Sequence, residues 1–90
     1  MNIRIGGIRY EVEYVDSHEI SGSLGRFMSN PAKMLIAAHA AQDVQKSTLL
    51  HEVIEALNFQ MELGLKHRQI MSLEHGLFQV MRDNPELFSV

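Results

Sequence analysis

The period of the apolar residues changes once along this chain, near Gln42, and a chain patterned in that way builds strands first and helices second. Ahead of the change, Ile3 and Ile5, then Ile8, Tyr10, Val12 and Tyr14, alternate with polar residues on either side of Gly6-Gly7. Alternation is a strand signal. A Gly-Gly pair between two such runs predicts a hairpin with a two-residue turn, because glycine reaches the positive φ that such turns require. The Ser- and Gly-rich stretch from Asp16 to Asn30 contains Leu24, Phe27 and Met28 and predicts a third strand near Ser23 to Met28. Asn30-Pro31 punctuates the chain. Lys33-Met34-Leu35-Ile36-Ala37-Ala38 then reads as a fourth strand or, given its Ala and Met, as the start of a helix.

Beyond Gln42, Leu49, Leu50, Val53, Ile54, Leu57 and Met61 recur at helical spacing, with Gly64 as the expected stop. A second helix is expected from about Lys66 to Arg82, with Ile70, Leu73, Leu77, Val80 and Met81 on one stripe and Asn84-Pro85 ending it. The short link makes the helices an antiparallel or angled pair. Met61, Met71 and Met81 read as core filler. With neither a repeat nor a low-complexity linker, residues 1–90 form one α+β domain: a small, mainly antiparallel sheet packed against two C-terminal helices.

A formal charge of -3 without any block of like charges offers no attraction to phosphate backbones or anionic membranes, so neither nucleic acid nor membrane is expected as a partner. The first residues lack a basic stretch followed by an apolar run, and no apolar segment approaches the roughly 20 residues that span a bilayer. A cytoplasmic location is the expectation. Zero cysteines exclude disulfides and thiolate metal sites, leaving His, Asp and Glu as the available ligands.

Those types concentrate in His51-Glu52-Val53-Ile54-Glu55. His51 and Glu55, four apart, project from one helix face just beyond the edge of the leucine-rich stripe, where a ligand is half buried yet open to solvent. In the zinc-protease motif His-Glu-x-x-His, two histidines hold the metal and the glutamate acts as general base on its water. Glu55 stands here in place of the second histidine. The same string also suits a solvated helix face. His67, at the start of the second helix, restores a two-histidine, one-carboxylate set, which suits zinc but also non-haem iron or another divalent metal. Glu74 falls about 20° from His67 around the second helix and is its rival as third ligand, or a partner holding a ligand in place; His75 lies further toward solvent. His18 and His39 read as surface residues, and Gln79, Asp83 and Asn84 as the end of the helix. Tyr10, Tyr14, His39 and His75 are the available oxyanion stabilisers.

Three stretches, Thr48 to Leu57, Leu63 to His67 and Leu73 to Pro85, resemble the small zincin-like metallopeptidases often encoded by phages and prophages. The resemblance covers roughly the second half of the chain, and a subset of that family has Glu in the second ligand position. It implies a zincin-like domain with His51, Glu55 and His67 as zinc ligands and Glu52 as the catalytic acid/base, in the host cytoplasm if the protein is phage-encoded. It also implies that the Met34 to Ala38 strand lies at the sheet edge beside the metal, where an extended peptide or protein segment can add. The functional expectation is a minimal metal-dependent hydrolase, peptidase-like. The alternative is a non-catalytic interaction protein on the same scaffold, its metal lost or purely structural.

Overall fold

The structure, a computed structural model, describes residues 1–89. Strands β1 (Asn2–Ile5) and β2 (Ile8–Val15) form the expected hairpin, with Ile5 opposite Ile8 and Gly6 and Gly7 at φ of 57° and 84° in the turn. A 3-10 turn over Ser17–Ile20 leads to β3 (Gly25–Ser29) and β4 (Ala32–Ala37), a second antiparallel hairpin closed by Asn30 and Pro31. The second hairpin joins the first through β4, which runs parallel to β2, so the order across the sheet is β1-β2-β4-β3. β4 is therefore an interior strand, and the free edge on that side belongs to β3. This corrects the expectation that the Met34 to Ala38 segment is the edge. An apolar run such as Met34-Leu35-Ile36-Ala37, buried at every position, is what a strand covered on both faces requires.

Helix α1 (Gln42–Met61) lies across one face of the sheet, over a core of Ile5, Tyr10, Val12, Met34, Ile36 and Ala56. On the other face Ile20, in the 3-10 turn, covers Val15, Leu35 and Ala37. The turn into α1 is tied down by Gln45, whose side-chain amide donates to the carbonyls of Ala38 and Ala40 at 3.0 and 3.1 Å. α1 ends at Met61 with Glu62, not Gly64, taking the first left-handed position. Asn58 accounts for the early stop. Its side chain accepts from the backbone N–H of Leu65 at 2.8 Å and donates to the carbonyl of Leu65 at 3.2 Å, folding the link back against the helix. Helix α2 (His67–Asp83) begins with Gln69 accepting from the backbone N–H of Lys66, and Asn84 closes it by donating to the carbonyl of Val80.

The helices bury part of the stripes their apolar residues suggest, α1 more than α2: Leu49, Val53 and Leu57 pack against the core of the sheet. α1 is sandwiched between sheet and α2, and its buried residues are Thr48, Glu52, Ile54 and Ala56, while Leu49, Leu50, Val53 and Leu57 are half buried. α2 packs mainly along α1, which gives it one line of contact. Only Ile70 is buried, and Leu73, Leu77, Val80 and Met81 remain exposed. The methionine expectation fails for the same reason: Met61, Met71 and Met81 face solvent, and Met34 is the methionine of the core. Among the described residues no helix is long and apolar enough to cross a membrane.

Candidate metal centre

Residues Ser47, His51 and Glu55 follow one another at intervals of one turn on α1, on the side that meets α2. His67 and Glu74, two turns apart on α2, face back toward them. His51 is the hub. Its ring stands edge-on to that of His67 with centroids 5.4 Å apart. Its Nε2 lies 3.4 Å from Glu55 Oε2, and its Nδ1 lies within hydrogen-bond distance of Glu74 Oε1, at 2.8 Å. The other oxygen of Glu74 accepts from the hydroxyl of Ser47.

One donor atom from each of His51, Glu55 and His67 falls within 4.8 Å of the other two. Ligands about 2.1 Å from a tetrahedral ion are separated by about 3.4 Å, which is the His51 to Glu55 distance as it stands. His67, an exposed residue in the first turn of α2, needs to close by up to about 1.4 Å to complete the set. Neutral imidazole and carboxylate are the ligand types a borderline divalent ion takes, so the donor set fits zinc and fits iron as well.

Beside these residues an open cleft of about 300 Å³ lies between the two helices and the start of β3. Glu52, 4% exposed, forms part of its lining on the sheet-facing side of α1. The carboxyl makes no hydrogen bond or ion pair among the described residues. No buried polar atom is orphaned either, so its oxygens reach the cleft and water rather than a protein donor. Burial pushes this carboxyl up to about 7, with Glu55 and Glu74 adding to the rise and His51 opposing it. No Lys or Arg lines the cleft, so its field favours a cation. Glu52 sits there because β3 approaches closely at Gly25: a Cβ at that position would meet Thr48 Cγ2 at 2.5 Å and Glu52 Oε2 at 2.7 Å.

Of the residues singled out in the sequence, His51, Glu55 and His67 are brought together, Glu52 adjoins them, and Glu74 holds His51. His75 is exposed at the rim of the cleft. Tyr10 is buried in the core, where its hydroxyl accepts from Gln60, and Tyr14 and His39 are exposed away from the cleft, so of these four only His75 lines it. Ser47 and Gly25 were not anticipated. A serine one turn before a candidate ligand histidine is the only trace the first leaves in sequence, and the second depends on strand order. Comparison with family models, with curated proteins and with solved structures gives no match.

Proposed function

We propose that the protein is a minimal metal-dependent hydrolase of zincin-like design, with peptides as its substrates. The observation that carries this reading is the convergence of His51, Glu55 and His67 beside a cleft lined by His51, His67 and Glu52, the last with no hydrogen-bond partner among the described residues. In this reading the three ligands hold a divalent ion, zinc in the first instance, which supplies Lewis acidity toward a carbonyl and toward water. Glu52 takes a proton from water in the cleft and returns it to the leaving amine, a role suited to a carboxyl raised to about 7. His75 donates to the oxygen on which charge develops. The free edge of β3 beside the cleft offers an extended peptide a row of backbone groups to pair with.

The non-catalytic alternative draws on one feature, the carboxylate at position 55. A third ligand that is anionic rather than neutral leaves the ion less positive and its water less acidic than three imidazoles would, which lowers the hydrolytic power of the centre although two histidines and one carboxylate also serve catalytic zinc. One experiment separates the two. Protein purified without chelator is assayed for zinc content and for cleavage of a peptide library, alongside Glu52→Gln and His51→Ala. The hydrolase reading expects stoichiometric zinc in the first two proteins only, and cleavage in the wild type only. Stoichiometric zinc without cleavage selects the alternative. Cleavage that survives Glu52→Gln intact refutes the assigned base.

A further inference from the structure

We propose that Ser47 and Glu74 are positioning residues for His51. They hold its ring as the Nδ1–H tautomer and turn the Nε2 lone pair toward Glu55 and His67. The purpose of this arrangement rests on the metal centre proposed above, whereas its geometry does not.

Both oxygens of Glu74 are engaged, one by His51 Nδ1 at 2.8 Å and the other by the hydroxyl of Ser47. The His51 and Glu74 side chains are 14% and 12% exposed, so water competes poorly for either bond. An ionised carboxylate can only accept, so a contact at 2.8 Å requires the proton to sit on Nδ1. The neutral ring then carries its lone pair on Nε2, which lies 3.4 Å from another acceptor, Glu55 Oε2. Two acceptors aimed at a common point repel one another unless a metal ion, or a proton on Nε2, lies between them, and His67 adds a third donor atom to the same point, as a metal site requires and a protonated His51 does not. A carboxylate hydrogen-bonded to the far nitrogen of a ligand histidine fixes the ring and raises its basicity.

Ser47 fixes the carboxylate in turn. It lies one turn before His51 on α1, so the hydroxyl and the imidazole grip the two oxygens of Glu74 from the same helix face. Without Ser47, Glu74 is free to rotate about its terminal torsion. Without Glu74, the ring is free to flip or to change tautomer.

The test is made on isotope-labelled, chelator-treated protein by long-range proton–nitrogen NMR of the histidine rings, followed by Zn²⁺ affinity in competition with a chromogenic chelator. In the wild type, His51 should be the Nδ1–H tautomer, and Glu74→Ala should convert it to a tautomer mixture while Zn²⁺ affinity falls about 10- to 100-fold. Ser47→Ala should keep the tautomer with a loss of up to about 10-fold, and Ser47→Thr, which restores the hydroxyl, should recover it. Should Glu74→Ala unfold, Glu74→Gln preserves the shape, and the expected loss of affinity is read on that variant. An Nε2–H tautomer in the metal-free wild type overturns the proposal, as does unchanged Zn²⁺ affinity in every Glu74 variant. A wild type that binds no Zn²⁺ yet shows the Nδ1–H tautomer, lost on Glu74→Ala, supports the positioning role and defeats the metal reading instead.

Discussion

Replacing Glu52 with glutamine should stabilise the metal-free protein at and above neutral pH, although it removes the proposed catalytic base. Folding moves the Glu52 carboxyl from 4.5 to about 7, chiefly because burial disfavours its charged form. The folded state therefore binds more protons than the unfolded state between those two values, and stability falls as pH rises through that window. Below pH 4.5 the carboxyl is neutral in both states and costs nothing. Above pH 7 it is charged in both, and its burial costs the folded state about 3 kcal/mol, reduced somewhat by the water its oxygens meet in the cleft. Glutamine fits the same space and is never charged. Urea denaturation in the presence of chelator, from pH 4 to pH 9, should show the stability difference between Glu52→Gln and wild type rising from near zero to about 2 to 3 kcal/mol, mostly between pH 5 and pH 7. Taking the difference cancels the groups that do not interact with Glu52. A constant difference across the range, or a variant less stable than wild type at pH 8, would refute the claim that an uncompensated carboxyl is buried beside β3.

Three further outcomes follow from the packing. His67→Ala should weaken Zn²⁺ binding by more than the roughly 10- to 100-fold expected for a group that only orients a ligand, with little change in metal-free stability because His67 is exposed; equal binding in a calorimetric titration would remove it from the ligand set. Gly25→Ala forces a Cβ against Thr48 and Glu52 and should cost about 1 to 3 kcal/mol in thermal denaturation. Asn58→Ala releases the link between the helices by deleting both hydrogen bonds to Leu65, so it should cost about 1 to 2 kcal/mol and speed amide exchange throughout α2 relative to the sheet.

Much of the fold was legible because its signals are local. The Gly6-Gly7 turn, the alternation in β2 and the start of α1 at Gln42 are each written within a few residues, and the structure has them where the pattern puts them. The order of the strands is not local. Nothing in Met34 to Ala37 says that β2 lies on one side and β3 on the other, and the buried run was compatible with an edge, an interior strand or a helix. The helix faces were legible only in part, for a related reason. Leu49, Val53 and Leu57 of the expected α1 stripe do pack against the core of the sheet, but Thr48 and Glu52 also face it, and they let β3 approach at Gly25. The burial of Glu52 was hidden in the sequence. The candidate ligands were legible because His51 and Glu55 are one turn apart and the link is short enough to bring His67 over them. Ser47 and Asn58 were not, since the partners of their side chains lie on another element.

The central claim is that His51, Glu55 and His67 hold one metal ion, and anomalous diffraction at the zinc edge from crystals grown with Zn²⁺ tests it most directly. The account expects a single strong peak between α1 and α2, about 2.0 to 2.2 Å from His51 Nε2, a Glu55 carboxylate oxygen and a His67 ring nitrogen, with His51 Nδ1 still bonded to Glu74 and Glu52 facing the ion across the cleft. A peak ligated by Glu74 in place of His67, or no peak in this cleft at zinc concentrations that saturate the crystal, would contradict it.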